Sequence, residues 1–532
     1  MIAWDACDPA LAQQFAAQGL MPNMARLLKT AARAPVRNPH GLFVGALWVS
    51  FSTALHPARH GFHCWDKIEL ESYEHRLSPP DVAHLPQFWR TLGDSGLRVA
   101  AIDVPHMKAD RPVNGIQVME WGCHDKHFGF HTSPPELAKE IEAEFGFHPA
   151  LKGREAYEAR DCAPDDDIHR DNRLRTREED CALLNDLIAG ARKKKELVLS
   201  LLNREPWDFL VAVFGESHAI GHQQWHLHDP SHPRHDRNTV EAMGGDPIAQ
   251  VYAELDRALG EIEAAAKADL FVLHLSHGMG PHYDGTHLLE EVLVRLENHH
   301  AATSTSASPA LASALKRWIR PAAPTLRALA HAVGVPHGLR KRVGAALEPW
   351  PADRRAQQRY FLEPNNTVYG GIRLNLVGRE PRGRVQPEEA DALVAELERD
   401  LLELVNADTG KSVVRAVQRC ADWHERKPTD VMPDLFLDWD RSAPIARVHS
   451  DKVGLIEIPY DHWRTGDHRP AGLLLAQASG LPSGERLPGL AIEDVGCSIM
   501  ARFGVAMTEV DGVECSWLSG RENANSVAQT SP

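Results

Sequence analysis

Short apolar runs alternate with helical patterns through much of the chain. Runs typical of buried strands lie at Ile2–Trp4, 98–103, 207–214, 269–275 and 472–476. Stretches with apolar residues at helical spacing separate several of them. Strands that are apolar on both faces, with helices between them, are typical of a parallel sheet covered on both sides. The pattern predicts an α/β fold with a doubly wound, mostly parallel sheet and inserted cap segments.

Three segments interrupt this alternation. Residues 125–195 are polar and rich in Asp and Arg, which predicts an inserted cap. Residues 300–439 begin with a linker rich in Ser, Ala, Thr and Pro and are predicted to form a second insertion. The tail 520–532 lacks apolar anchors and is predicted to be disordered. The predicted core therefore consists of residues 1–124, 196–299 and 440–519, which suits the length of 532 residues.

Side chains able to bind a metal stand at the ends of these predicted strands. Asp5, the pair His218 and His222, and the pair Ser276 and His277 each follow a predicted strand. His468 precedes the strand at 472–476, and a loop could deliver it to the same place. The carboxyl ends of parallel strands meet at one edge of a sheet, where α/β proteins bind their ligands. His218 and His222 are one helical turn apart, so both imidazoles can hold one ion, although the pair alone is equally consistent with two surface histidines. Imidazole and carboxylate together are typical ligands of Zn, Mn or Fe.

Several short motifs resemble those of one enzyme superfamily, in the same order along the chain. They are DACDP (5–9), GLMPNMARL (19–27), WVSFSTA (48–54) with PARHG (57–61), SHGMG (276–280), GIRLN (371–375) and GDHR (466–469). The set resembles the alkaline phosphatase superfamily, in its type I phosphodiesterase/nucleotide pyrophosphatase branch with sulfatase-like relatives. The resemblance implies hydrolysis of a phosphate or sulfate ester, most plausibly a phosphodiester. In such sites two metals flank the transferring group, roughly 4 Å apart.

The resemblance also implies roles for individual residues. One metal would be held by His218, His222 and His468, and a weaker second site would use Asp5 and His277. Asp5, Ser276 and His277 are the implied catalytic residues, while Arg469 and His60 are the implied contacts to the substrate. The expected cofactor is one or two divalent ions, with zinc the first expectation and manganese the alternative.

Three positions depart from the family pattern. His218 and Ser276 stand where the family has carboxylates, and Val44 stands at the position of the nucleophilic Ser or Thr, counted back from Thr53. Water activated by a metal, or a nearby hydroxyl such as that of Ser50, would have to replace the nucleophile. The alternative is a degenerate member that binds a ligand or partner, or that catalyses a non-hydrolytic transfer.

Composition limits the partners. The net charge of −15 argues against nonspecific nucleic-acid binding, and any anionic substrate would have to be held by metal ions or local arginines. The partner that the resemblance implies is a small anionic ester. The apolar runs are too short to span a bilayer, and the N-terminus does not resemble a signal peptide, although its short first strand is compatible with a start upstream. Eight cysteines without a CxxC pair suit a reducing cytoplasm. The sequence does not specify an oligomeric state.

Overall fold

The computed structural model describes residues 1–77, 85–109, 111–123, 127–151, 175–304, 352–366, 368–423, 432–458, 464–506 and 508–520. The strands within them are β1 (Ile2–Trp4), β2 (Ala32–Arg37), β3 (Asp66–Glu69), β4 (Glu74–Leu77), β5 (Val99–Ile102), β6 (Gly115–Met119), β7 (His131–Ser133), β8 (Phe209–Phe214), β9 (Leu270–Leu275), β10 (Gly278–Pro281), β11 (Tyr360–Glu363), β12 (Tyr369–Leu374), β13 (Val405–Asn406), β14 (Val414–Arg419), β15 (Leu435–Trp439), β16 (Arg447–Ser450), β17 (Gly454–Glu457), β18 (Gly466–Arg469), β19 (Ala471–Ala478) and β20 (Leu490–Ala491).

The helices of the same residues are α1 (Pro9–Ala17), α2 (Pro22–Thr30), α3 (Phe43–Thr53), α4 (Pro57–His60), α5 (Phe88–Asp94), α6 (Glu136–Phe145), α7 (Arg177–Arg204), α8 (Glu216–His228), α9 (Arg237–Ala242), α10 (Pro247–Ala266), α11 (Thr286–Ser304), α12 (Ala352–Arg355), α13 (Ala390–Leu402), α14 (Cys420–Trp423), α15 (Ile492–Arg502) and α16 (Ser516–Ser519), with a 3₁₀ turn at Pro387–Glu389. None of these described helices is both long enough and apolar enough to cross a membrane.

A nine-stranded sheet forms the centre of the molecule. Its strand order is β20-β2-β19-β9-β1-β8-β5-β6-β7. Strands β6, β5, β8, β1 and β9 are parallel neighbours, and antiparallel β7 and β19 flank them. This is the mostly parallel sheet predicted from the sequence. Because β1, β8 and β9 are adjacent and parallel, the residues that follow them meet at one edge of the sheet.

Helices cover both faces of this sheet, as predicted. On one face the core is formed with side chains of α1, α2, α6, α7, α8 and α10. On the other face it is formed with side chains of α3, α5 and α15. Both clusters include apolar residues from the strands, since successive side chains of a strand point to opposite faces.

The described part of residues 125–195 differs from the predicted cap. Strand β7 is the edge strand of the central sheet, and it pairs with β6. Leu183, Leu184 and Leu187 of α7 are buried in the main core. Apart from the buried Asp180 and Lys194, the charged residues of α7 lie mostly on its other faces, and in the sequence they obscure its apolar stripe. This segment therefore contributes to the core instead of forming a separate cap.

A second, smaller layer contains the described part of residues 300–439. Strands β11, β12, β15 and β14 form an antiparallel sheet, which shares its core with α11 and α13. That core also takes residues of β16 and β17, so it extends beyond the predicted insertion. The remaining domain boundaries stay a prediction. The linker after residue 304 and the predicted disordered tail, apart from Gly520, lie outside the described residues.

Candidate metal centre

Four chain segments bring the predicted site residues together. Asp5 follows β1, His218 and His222 lie on α8 after β8, and Ser276 and His277 follow β9. His468 lies on β18, which pairs antiparallel with β10, and this pairing places it opposite Met279. The ribbon of β10 and β18 thus returns a residue from late in the chain to the edge formed by the first three segments.

Three buried histidines form a compact cluster. His218, His222 and His468 each present one ring nitrogen, and these nitrogens all lie within 4.8 Å of one another. The Nε2 atoms of His222 and His468 are 3.2 Å apart. His218 and His222 occupy successive turns of α8, as their spacing predicts, with ring centroids 4.7 Å apart. We call this cluster the histidine site.

Hydrogen bonds on the outer side fix the tautomers of two of these rings. Nδ1 of His222 lies 2.7 Å from the carbonyl oxygen of Gly466, which can only accept, so Nδ1 carries the proton. Nδ1 of His218 lies 2.7 Å from Oδ2 of Asp5, and an ionised carboxylate likewise only accepts. In both rings Nε2 is therefore the nitrogen with the lone pair that a metal requires.

A chain of hydrogen bonds gives His468 the same tautomer. Oγ of Ser276 lies 3.1 Å from Oδ1 of Asp5, to which it donates, and 2.9 Å from Nδ1 of His277. Since the hydroxyl proton points to Asp5, Nδ1 of His277 is the donor to Ser276. Nε2 of His277 then accepts from Nδ1 of His468 across 2.8 Å. His468 is left with its Nε2 lone pair directed at the histidine site.

The three imidazoles fit a divalent metal. Two nitrogen lone pairs only 3.2 Å apart repel each other unless a cation or a proton lies between them. Burial lowers the pKa of His222 well below its usual range, and the charges of Arg464, His468 and His218 lower it further. A neutral imidazole is the form that binds a metal. Three neutral imidazoles with an open fourth position match a zinc site of the catalytic type.

Asp5 and His277 take part differently from the ligand roles that the family resemblance implies. The Asp5 carboxylate accepts hydrogen bonds from His218, Ser276 and Nε1 of Trp48, the last at 2.9 Å. His277 bonds Ser276 on one side and His468 on the other. Both residues thus adjoin the rings of the histidine site and orient them. A second metal at Asp5 and His277 stays a prediction.

The hydrogen bonds described above include neither of the two predicted substrate contacts. Arg469 neighbours His468 on β18, so the two side chains leave opposite faces of the strand. Burial and the nearby charges of Arg441 and Arg415 lower the pKa of Arg469, although Asp8 and Asp467 oppose this.

His60 holds a turn. Its Nε2 lies 3.0 Å from Oγ of Ser50, and its Nδ1 accepts from the backbone N–H of Phe62 at 3.1 Å. Both ring nitrogens are therefore engaged in local structure. Substrate binding by Arg469 and His60 stays a prediction that these contacts do not support.

Two residues of the site were missed from the sequence. The indole of Trp48 donates to Asp5, and the ring of Phe43 lies against those of His277 and His468, with centroids 5.7 and 6.4 Å apart. Trp48 belongs to the WVSFSTA motif, so its position there was a usable signal. Phe43 begins α3 directly before Val44, which is half-buried beside it.

Comparisons with known proteins place the chain in a family. No curated protein matches it. Solved structures that it resembles include phosphonoacetate hydrolase from Sinorhizobium meliloti 1021, at 14% identity, a TM-score of 0.45 and coverage of 90% of this chain and 91% of that chain. Murine ectonucleotide pyrophosphatase/phosphodiesterase 5 is similar at 10% identity, a TM-score of 0.48 and 96% coverage of both chains.

The family model is the decisive comparison. The model described as type I phosphodiesterase/nucleotide pyrophosphatase matches residues 1–469. This range includes every residue of the histidine site, and it confirms the resemblance seen in the short motifs. The chain therefore belongs to the type I phosphodiesterase/nucleotide pyrophosphatase family.

Proposed function

We propose that the protein is a metal-dependent hydrolase of phosphate esters that acts on phosphodiesters with a single metal ion in the histidine site. The observation that carries the proposal is the common tautomer of His218, His222 and His468. Each Nδ1 is committed to an outer partner, so three Nε2 lone pairs converge at the carboxyl edge of the sheet. A divalent ion held there supplies Lewis-acid polarisation of a phosphoryl oxygen.

The charge of the ligand set favours an anionic substrate. Three neutral imidazoles leave both positive charges of a divalent ion uncompensated by ligands, so the site attracts anions. One metal neutralises less charge than two, which favours a phosphodiester with one negative charge over a phosphomonoester with nearly two. Because Val44 has no nucleophilic atom, the attacking group is expected to be water.

Neighbouring groups would keep the three histidines in the metal-binding tautomer during turnover. Asp5 keeps the proton of His218 on Nδ1, and Ser276 and His277 do the same for His468. We expect zinc to be the preferred ion, because His₃ with an open position suits it. Among the described residues no cysteine forms a disulfide, which suits the cytoplasmic location that we propose.

Hydrolysis is tested with three chromogenic esters and added Zn²⁺ or Mn²⁺. Bis-p-nitrophenyl phosphate should turn over faster than p-nitrophenyl phosphate and p-nitrophenyl sulfate. His222→Ala should lower this rate at least 100-fold, whereas His449→Ala, at an exposed position of β16, should leave it unchanged. Metal bound without turnover of any ester would contradict the proposal and favour a ligand-binding protein.

Val44→Thr tests whether one metal is sufficient. The two side chains have the same shape, so the substitution adds a hydroxyl at the family's nucleophile position with little change in packing. Without a second metal to lower the pKa of that hydroxyl, we expect the rate to change less than about tenfold. A gain of 100-fold or more would show that a second metal assembles there and that only the nucleophile was missing.

A further inference from the structure

A second group of buried ligands lies on the opposite face of the ribbon formed by β10 and β18. In this ribbon Gly280 pairs with Asp467, and the backbone N–H of His282 donates to the carbonyl of Thr465 at 3.1 Å. Because side chains alternate along a strand, Asp467 leaves the face opposite to that of its neighbour His468. His282, Asp284 and Asp467 are all buried, and their ligand atoms lie within 4.8 Å of one another. We call them the ribbon cluster.

Each member of the ribbon cluster is fixed by a backbone group on its outer side. Nδ1 of His282 lies 3.2 Å from the carbonyl oxygen of Arg464, so Nδ1 carries a proton. Oδ1 of Asp284 accepts from the N–H of Thr286 at 2.8 Å, at the start of α11. Oδ1 of Asp467 accepts from the N–H of His468 at 2.8 Å.

The remaining atom of each side chain points to one common place. Nε2 of His282 lies 2.5 Å from Oδ2 of Asp284 and 3.4 Å from Oδ2 of Asp467. A lone pair on Nε2 cannot face two carboxylates without a positive species between them. That species is either a proton on Nε2 or a metal ion.

The ligand types fit a metal ion. A protonated His282 with two carboxylates leaves one negative charge in a buried cluster, and Arg464, which also faces it, can balance that charge. His287 is the other ionisable group facing Asp284. A divalent ion with a neutral imidazole balances the two carboxylates directly. One imidazole with two carboxylates is a ligand set for Mn, Fe or Zn, and backbone-anchored ligands are typical of metal sites.

We propose that the ribbon cluster of His282, Asp284 and Asp467 binds a divalent metal ion distinct from that of the histidine site. On binding, the ion displaces the proton from Nε2 of His282. It joins the end of β10, the start of α11 and strand β18 in one place. Asp467 also accepts from the backbone N–H of His468. The ion therefore fixes the position of β18, the strand that supplies a ligand to the histidine site.

The number of bound ions tests the proposal. Chelator-treated protein is incubated with excess Zn²⁺ or Mn²⁺, desalted and measured by plasma mass spectrometry. Wild type should hold two equivalents, His222→Ala one, and His222→Ala combined with Asp284→Asn none. Asp284→Asn and Asp467→Asn alone should each lose one equivalent and weaken its binding at least 100-fold. Each Asn keeps an oxygen for the backbone hydrogen bond.

Asp246→Asn is the matched control. Asp246 also caps a helix, α10, and its Oδ2 pairs with Nδ1 of His228 at 2.6 Å, but no third ligand of the described residues joins them. This variant should keep two equivalents. Thermal unfolding in EDTA checks folding. Asp284→Asn should still unfold cooperatively there, at a lower temperature than wild type because the protonated His282 loses a buried carboxylate partner. Added metal should raise its melting temperature less than that of wild type.

The proposal is wrong if wild type holds only one equivalent of metal and His222→Ala holds none. The ribbon cluster would then be an ion triad with a protonated His282. The proposal is also wrong if the Asp284→Asn and Asp467→Asn variants each keep both equivalents. These counts do not depend on turnover, so a failure of the proposed hydrolysis would be distinguished from a failure of this site.

Discussion

The carboxylate of Asp5 accepts hydrogen bonds from three side chains of the candidate centre. Its two oxygens accept from the imidazole of His218, the hydroxyl of Ser276 and the indole of Trp48. A carboxylate offers about four lone pairs and only accepts, so three donors are compatible with an ionised Asp5. Through His218 directly, and through Ser276 and His277 indirectly, this one group sets the tautomers of two rings of the histidine site.

Replacing Asp5 with Asn should therefore weaken metal binding without removing a ligand. The amide retains only one acceptor oxygen, and its NH₂ group cannot accept from Nδ1 of His218. Loss of such an outer partner typically costs 10- to 100-fold in affinity, and we expect a rise of this size in the zinc dissociation constant. Competition with a chromogenic chelator measures it.

Asp246→Asn provides the control for this prediction. Asp246 caps α10, where its Oδ1 accepts from the N–H groups of Ile248 and Ala249, and its Oδ2 pairs with His228. Asn caps helices as well as Asp does, so zinc affinity should stay within about twofold. An Asp5→Asn protein that binds zinc as wild type does would contradict the orienting role.

The sequence identified which residues meet, but not which atoms bind. Asp5, His218, His222 and His277 were predicted to meet because each follows a buried strand, and the ends of neighbouring parallel strands converge. His468 was added as a residue that a loop could deliver and that the resemblance implies. The division into ligands and orienting groups depends on distances near 3 Å and on proton positions. Strand patterns carry no such information, and the packing of Phe43 on His277 also required the coordinates.

At the scale of elements, the ribbon of β10 and β18 lies closely against α8. A β-carbon added to Gly466 would overlap the carbonyl oxygen of Gly221 on α8. The carbonyl of Gly466 itself accepts from Nδ1 of His222. Glycine at 466 thus allows β18 to approach α8 closely enough to orient His222.

Gly466→Ala should separate β18 from α8 and weaken the histidine site. The overlap is with backbone, which yields little, so we expect a loss of about 1–3 kcal/mol in the free energy of unfolding. Zinc affinity should fall at least tenfold, because His222 loses its partner and His468 moves with the strand. Urea unfolding and chelator competition measure the two effects.

Gly221→Ala separates this steric effect from the loss of a glycine. A β-carbon at 221 would meet the side chain of Met279, whose flexible end can move aside. Alanine also favours a helix over glycine by about 1 kcal/mol, which offsets the repacking. Equal zinc affinity in the two variants would show that close approach of β18 does not matter.

The helix whose place in the fold was predicted least well from the sequence is α7. Its charges predicted a cap, yet Lys194 is fully buried and lies 2.8 Å from Oδ2 of Asp103, after β5. Asp103 also accepts from the N–H groups of Trp121 and Gly122. The charge of Lys194 lowers the pKa of Glu216, the first residue of α8, against the effect of its burial. A residue counted as polar from the sequence is thus part of the core.

Lys194→Met should destabilise the whole molecule strongly. It removes the cation between the buried carboxylates of Asp103 and Glu216, and breaking a buried pair from one side costs about 3–5 kcal/mol. Lys195→Met, one residue further, removes a partly exposed pair with Glu261 and should cost less than about 1 kcal/mol. Equal unfolding free energies for the two variants, from urea titration, would contradict the central position of α7.

At the scale of the whole molecule, buried histidines couple stability to pH. Burial, with a smaller effect of Lys67, lowers the pKa of His63 to about 3, and burial lowers those of His60 and His226 to about 3. In the unfolded chain such groups titrate near the ordinary value of about 6.5. Between these values the unfolded state binds more protons, so the free energy of unfolding falls as pH decreases from about 6.5 towards 3.

His63→Leu should make this dependence shallower by one proton. His63 is fully buried, and each such histidine contributes a slope of up to about 1.4 kcal/mol per pH unit below its unfolded pKa. Urea unfolding at pH 7, 6 and 5 with a chelator present gives the slope for each variant, independently of any constant change in stability. The exposed His449→Leu should keep the wild-type slope. If the slopes of His63→Leu and wild type coincide, His63 takes up its proton in the folded protein, and another group causes the acid sensitivity.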